Sequence, residues 1–271
     1  MNNLIDTHCH LYDKAFDDDR SLASQRAQEN GLINILMPNV DRASLQRMLE
    51  LHQSDPTYFR PMLGLHPCSV AENYKEELSL LKSSVEDAAF IAIGEIGIDK
   101  YWSLDFITQQ IDAFEYQIDW AIQLDLPIVI HCRDAYPEIL DILEQKKHTR
   151  LRGVLHCFTG SQADAKRLMD LGFYLGLGGV LTFKNGGLAE WIQSIPLDHI
   201  LLETDAPYLA PTPYRGKRNE PSYVVEVAQK LADIHEFPLK AIAEKTTENA
   251  VKLFNCKALR SYLSNLVHRT V

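Results

Sequence analysis

His8 and His10 stand two residues apart at the end of a short apolar run, Leu4-Ile5-Asp6. In an extended backbone, residues i and i+2 project to one face. Both imidazoles would therefore converge, with Cys9 turned the other way. The arrangement recurs along the chain: His66 in Gly64-Leu65-His66-Pro67, Glu95 in Gly94-Glu95-Ile96-Gly97, and His131 in Ile130-His131-Cys132-Arg133. It recurs again as His156 in Leu155-His156-Cys157-Phe158 and Asp205 in Glu203-Thr204-Asp205-Ala206-Pro207. A single histidine at a strand end is ordinarily a hydrogen-bonded structural residue. Of the ten histidines, however, five (His8, His10, His66, His131, His156) occupy this position, while His52, His148, His199, His235 and His268 fall in helices or loops and carry no role here. Five imidazoles together with the carboxylates of Glu95 and Asp205 on one rim imply a metal site. Without a cation, apposed carboxylates are driven towards protonation, and bound metal removes that penalty.

The elements that must position these groups are legible as an alternation. Candidate strands are Leu4–Asp6, Ile33–Met37, Pro61–Leu65, Phe90–Gly94, Pro127–Ile130, Gly153–Leu155, Phe173–Leu177 and Ile200–Glu203. The stretches between them have helical periodicity. Ile107, Ile111, Phe114, Ile118, Ala121 and Ile122 form one stripe; Leu78, Leu81 and Val85, and Tyr136, Ile139, Leu140 and Leu143, form others. Ser161 with Asp164 predicts a capped helix start, and Gly172 its stop. Strands alternating with helices predict a mostly parallel α/β sheet, and eight units predict a closed (β/α)₈ TIM barrel. An open doubly wound sheet is the alternative, weakened because no glycine-rich dinucleotide fingerprint follows the first strand. In such a barrel the C-terminal strand edge is where active sites are assembled. Extra C-terminal helices are expected from Pro221, over Leu239–Phe254, and near Leu259–Leu266. With no low-complexity linker, residues 1–271 are expected to form a single domain. Cys9, Cys132 and Cys157, each beside a histidine, are expected to face the surrounding helices as small core residues.

Composition narrows the class. A net charge of −10 argues against a broad basic surface gripping a duplex, yet leaves room for one phosphate pocket charged by metal ions. Five cysteines without a CxxC pair make a disulfide framework a poor fit. The first residues lack the features of a signal peptide, and no apolar run approaches the roughly 18 residues of a membrane span. A cytoplasmic protein with no membrane association and no obligate protein partner is the expectation.

As an ordered set, the motifs resemble the metal-dependent amidohydrolase-like barrels, and within them the TatD family of metal-dependent deoxyribonucleases. The resemblance is carried by Ile5-Asp6-Thr7-His8-Cys9-His10-Leu11, Gly64-Leu65-His66-Pro67 and Ile93-Gly94-Glu95-Ile96-Gly97-Ile98-Asp99. Pro127-Ile128-Val129-Ile130-His131-Cys132-Arg133, His156-Cys157-Phe158-Thr159-Gly160 and Leu202-Glu203-Thr204-Asp205-Ala206-Pro207 complete it, so that it spans about Leu4 to Phe254. It implies two divalent metal ions, one held by His8, His10 and Asp205, the other by His131 and His156, with Glu95 bridging. Glu95 stands where many amidohydrolase barrels use a carboxylated lysine.

The same resemblance implies a DNA or other nucleotide-containing substrate. Asp205 is expected to act as general base, and His66, with no metal role in the family pattern, to meet the substrate phosphate or leaving group. Glu203, two residues before Asp205, is expected to share its face and orient a ligand histidine. In the basic loop Tyr214-Arg215-Gly216-Lys217-Arg218-Asn219-Glu220-Pro221, Arg215 and Asn219 are candidate phosphate contacts, helped by the dipole of the following helix. Arg133 is a third candidate, and Lys217 is read as an exposed loop residue. Imidazole-rich ligation suits Zn²⁺, Mn²⁺ or Fe, whereas Mg²⁺ prefers oxygen; the resemblance nonetheless points to Mg²⁺. The expected reaction is hydrolysis of DNA phosphodiesters, exonucleolytic and on single strands, because a mouth site in an acidic barrel suits a chain end. The alternatives are a deacylase or amidohydrolase acting on aminoacyl-tRNA or a small amide or ester, where the metals would polarise a carbonyl, and a non-catalytic barrel that binds metal.

Overall fold

The computed structural model describes residues 3–87 and 90–255, without the side chains of residues 86 and 87. Eight strands follow in chain order: β1 (Leu4–Asp6), β2 (Leu32–Met37), β3 (Phe59–Pro61), β4 (Ile93–Asp99), β5 (Ile128–Arg133), β6 (Gly153–Leu155), β7 (Tyr174–Leu177) and β8 (Ile200–Leu202). All pairings are parallel and sequential, β1-β2-β3 and β4-β5-β6-β7-β8. The two runs are joined by isolated parallel bridges, Leu63↔Ile93 between the third and fourth strands and Cys9↔Ala206 between the last and the first. Backbone bonds reinforce both seams: Gly94 N donates to Leu63 O and Thr7 N to Leu202 O. This is the expected (β/α)₈ architecture.

Six helices cover the strands: α1 (Arg20–Glu29), α2 (Arg42–Ser54), α3 (Tyr74–Ser83), α4 (Ile107–Leu124), α5 (Tyr136–Gln145) and α6 (Gln162–Asp170). The predicted stripe of α4 is its packed face, with Phe114, Ile118 and Ala121 fully buried and Ile107, Ile111 and Ile122 against the same core. Phe114→Ala would cost about 3–5 kcal/mol. α6 begins with a reciprocal Ser161–Asp164 capping box. It ends with Gly172 at φ +82°, where Phe173 N returns to Leu168 O. The chirality penalty on a side chain at that φ explains the glycine.

The alternation fails once. Between β7 and β8 the chain makes four short 3₁₀ turns, starting at Gly179, Leu188, Ile192 and Leu197, in place of an α-helix. Gly178-Gly179, Gly186-Gly187 and Pro196 break the stretch. After β8, Pro221 opens a 3₁₀ turn, and α7 (Val224–His235) and α8 (Leu239–Phe254) follow. The helix expected near Leu259–Leu266 lies outside the described residues. Ile5, Leu36, Val129, Val154, Tyr174 and Leu201, each from a different strand, form a separate apolar cluster with Ala250, Val251, Leu253 and Phe254 of α8. α8 thus supplies apolar side chains to the barrel's inner cluster. Among the described residues, no helix is long and apolar enough to cross a membrane.

Candidate metal centre

β4 is the longest strand, and it starts and ends later than the sequence pattern suggests. Glu95 lies inside it rather than beyond its end, because β4 pairs with β5 as far as Asp99↔Arg133. That extended ladder also places His131 within β5. Gly97 makes the close pairing possible: at φ +147°, a Cβ there would lie 2.0 Å from His131 O.

Glu95 is the hub, and its two carboxylate oxygens face different sets of imidazoles. Oε2 lies 3.2 Å from His8 Nε2 and 3.7 Å from His10 Nε2. Oε1 lies 2.7 Å from His156 Nε2, 2.9 Å from His131 Nδ1 and 3.4 Å from His66 Nε2. Asp205 Oδ1 completes the first set, 3.5 Å from His10 Nε2 and 3.8 Å from His8 Nε2. The His8 and His156 rings stack at 3.8 Å, joining the two sets. All six expected ligands are therefore brought to one place, together with His66.

Hydrogen bonds assign tautomers. Tyr12 Oη donates its single proton to Pro38 O at 2.6 Å, so it accepts from His10 Nδ1 at 2.9 Å. His10 then carries its proton on Nδ1 and turns the Nε2 lone pair to the cluster. His66 is the reverse: Cys68 N donates to its Nδ1 at 3.0 Å, so the neutral ring presents Nε2–H inward. A nitrogen bearing a proton is no metal ligand, which separates His66 from the others. His131 Nε2 meets Asp99 Oδ2 at 2.9 Å, leaving Nδ1 on the Glu95 side.

The carboxylates are not driven to protonation as expected. Burial alone would raise Glu95, but His156, His66 and His8 around it hold it well below the usual carboxylate range. Asp205 is likewise pulled down against burial, chiefly by His10. The protons move to the imidazoles: against burial, Glu95 and Glu203 push His156 well up, and Asp99 and Glu95 push His131 up. Burial, with His156 nearby, instead lowers His8.

The donor set fits a divalent cation. Two groups of expected ligands hold ligand atoms within 4.8 Å of one another, His8, His156 and Asp205, and His8, His10 and Glu95; a third, Glu95 and His131, includes His66, whose inward N–H sets it apart. Both nitrogens of fully buried His8 lack hydrogen-bond partners, although Nε2 lies 3.2 Å from Glu95 Oε2. Buried polar atoms rarely go unsatisfied, and imidazole and carboxylate together suit Zn²⁺ or Mn²⁺.

The remaining predicted residues divide. Glu203 is fully buried, 3.5 Å from His156 Nδ1, and accepts from Cys157 N, so it sits behind a histidine rather than at the mouth. Gly176 makes room for it, since a Cβ there would lie 2.3 Å from Glu203 Oε2. Arg133 is exposed, its guanidinium 3.6 Å from the centre of the Tyr101 ring. Arg215 is also exposed and lies 3.6 Å from the Phe183 ring. Among the described residues neither arginine has a carboxylate partner. Asn219 is a correction: fully buried, its amide donates to Thr204 O and Tyr208 O and its oxygen accepts from Glu220 N. It ties down the loop after β8 and has no atom left for substrate. Cys157 is a second correction. Its φ of +45° breaks the extended geometry that the alternation assumes, and burial, with Asp205, Glu203 and Glu95 nearby, raises its thiol. Cys9 is fully buried as expected, and the four described cysteines are free.

Three supporting residues escape sequence reasoning. Asp99 anchors His131, Tyr12 anchors His10, and Asp6 accepts from His8 N, Thr204 N and Thr204 Oγ1, tying the end of β1 to that of β8. Burial outweighs those three bonds and pushes Asp6 up to about 8. The carboxylate of Asp99 in Gly97-Ile98-Asp99, two positions beyond a glycine in the strand, was the available signal.

Known proteins resemble this chain over nearly its whole length. Residues 5–255 match the family described as TatD related DNase. The metal-dependent hydrolase YabD of Bacillus subtilis is 38% identical over 252 residues, covering 93% of this chain and 98% of its own. A protein of Erwinia tasmaniensis named 3'-5' ssDNA/RNA exonuclease TatD is 32% identical, covering 93% of this chain and 100% of its own. The crystal structure of the TatD homolog YJJV from Escherichia coli superposes with a TM-score of 0.88 at 30% identity, covering 94% of this chain and 100% of that one.

Proposed function

Because this chain belongs to the TatD family of metal-dependent hydrolases, we propose that it is a deoxyribonuclease that releases nucleotides from an end of single-stranded DNA in the cytoplasm. The observation that carries this reading is the division of the two Glu95 oxygens between two sets of imidazoles at one barrel mouth. His8, His10 and Asp205 would hold one divalent ion, His131 and His156 a second, and Glu95 both, with Mg²⁺, Mn²⁺ or Zn²⁺ as candidates. Bound there, such ions offset phosphate charge and lower the pKa of water. The ssDNA/RNA exonuclease name of the Erwinia relative supports a polynucleotide substrate.

The chain's own residues supply the rest. Asp205, held ionised, accepts the proton of the attacking water on a carboxylate oxygen. His66 presents Nε2–H from the opposite set and donates it to a phosphate oxygen or the leaving oxygen. Glu203 and Asp99 keep His156 and His131 in position from behind. Arg133 and Arg215, free of carboxylates, take up flanking phosphates.

The test is nucleotide release from single-stranded DNA by chelated protein resupplied with Mg²⁺, Mn²⁺ or Zn²⁺, beside Asp205→Asn. Metal-dependent release that falls at least 100-fold in the variant, on the order expected for a general base, supports the reading. Protein that binds metal yet releases no nucleotide with any ion overturns it and favours an acyl-bond hydrolase.

A further inference from the structure

Between β4 and α4 the chain exposes a compact aromatic group. Trp102 is 71% exposed, Tyr101 54% and Leu104 66%. Soluble proteins normally cover a large flat indole, and the other tryptophans here are buried (Trp120) or packed against the core (Trp191). Tyr101 meets Trp102 in a T-shaped contact, with centroids 5.0 Å apart at 87°, and leaves most of the indole open to solvent. The Arg133 guanidinium stacks on Tyr101 at 3.6 Å and lies 5.8 Å from the Trp102 ring. A cation beside an open aromatic face matches what a single strand offers at each step, a phosphate followed by a base.

The loop is also registered to the metal centre. One oxygen of Asp99 accepts from Tyr101 N at 2.9 Å and from Trp102 N at 3.2 Å. The other holds His131 Nε2 at 2.9 Å. A single carboxylate therefore sets both a cluster histidine and the backbone that carries the two rings.

We propose that Trp102, supported by Tyr101 and Arg133, is a stacking platform for an unpaired nucleobase of the strand being cleaved. This rests on the nuclease reading above. It adds a source of preference for single strands, because a base within a duplex has no free face to stack. Affinity from such a contact is tolerant of sequence, since every base has a π-face.

The experiment pairs Trp102→Ala and Trp102→Phe with two oligonucleotides, one intact and one carrying abasic residues near its ends. The intact strand should bind Trp102→Ala about tenfold more weakly, on the order of one lost base stack. That loss should fall in KM rather than kcat, and Trp102→Phe should recover most of it. On the abasic strand wild type and Trp102→Ala should be equal. In chelated wild-type protein, the intact strand should quench tryptophan fluorescence, and Trp102→Phe should lose that quenching. If wild type cleaves DNA but Trp102→Ala keeps its KM on the intact strand, the platform is overturned and the nuclease reading stands. If wild type cleaves no DNA with any ion, both fall.

Discussion

Two charged clusters in this protein are built on opposite plans. Around Asp19, the carboxylates of Asp19 and Glu220 meet the guanidiniums of Arg26 and Arg218 at 2.6–3.1 Å, in pairs that cancel. Arginine stays protonated, so that network is closed and has no place for another ion. It staples α1 to the loop after β8. Around Glu95 the cationic partners are imidazoles, which can bear a proton or give a lone pair. Within that cluster the carboxylates push His131 and His156 up against burial, while His8 makes no hydrogen bond through either ring nitrogen. Permanent charges serve for fastening, whereas exchangeable ones leave room for an incoming cation.

The sharpest way to break that contrast is Asp99→Asn. The change keeps the shape but removes the charge that sets His131, and metal affinity should fall about 10–100-fold, measured by competition with a chelating dye. An unchanged affinity would mean that His131 needs no anchor and that the two clusters differ less than proposed.

Proton exchange gives the next effect. His131 and His156 have pKa values raised above 6.5 in the metal-free protein, so metal binding must displace their protons. Affinity should therefore rise with pH above 6.5, by up to about tenfold per unit for each proton released, then level once both rings are neutral. Calorimetry in buffers of different ionisation enthalpy counts the protons. A count of zero would contradict the exchange.

The smallest effect belongs to the closed network. Arg218 and Arg26 hold Asp19 at about 2, against an ordinary 3.8. A depressed carboxylate contributes stability above its unfolded pKa and loses it as pH falls through the folded one. The window is therefore from about 4 down to about 2. The contribution should be about 1 kcal/mol after solvent screening. Urea unfolding should show Asp19→Asn less stable than wild type at neutral pH, with the gap closing near the bottom of that window. A gap that persists in acid would show that the network acts through something other than charge.

What the sequence determined by itself was local. Periodicity of two and of about three and a half marked the strands and most helices, and residue types at strand ends marked His8, His10, Glu95, His131, His156 and Asp205. The structure brings those six side chains together. The capping pair Ser161–Asp164 and the stop at Gly172 were legible for the same reason, because each depends on a few neighbouring backbone angles.

Only the tertiary structure decided what depends on how separate segments meet. Alternation predicts an outward Cys157, but a left-handed φ just past β6 takes the chain out of the extended geometry on which that rule depends. Asn219 looked like a substrate contact until closure against Thr204 and Tyr208 used its polar atoms. The anchors Tyr12 and Asp99, the inward N–H of His66 and the two-sided use of Glu95 all come from contacts between strands or with loops. Side-chain type and spacing determine which face of an element is apolar or polar. Proton positions, buried partners and the direction of a side chain past a strand end depend on which atoms lie within about 3 Å, and barrel closure sets those distances.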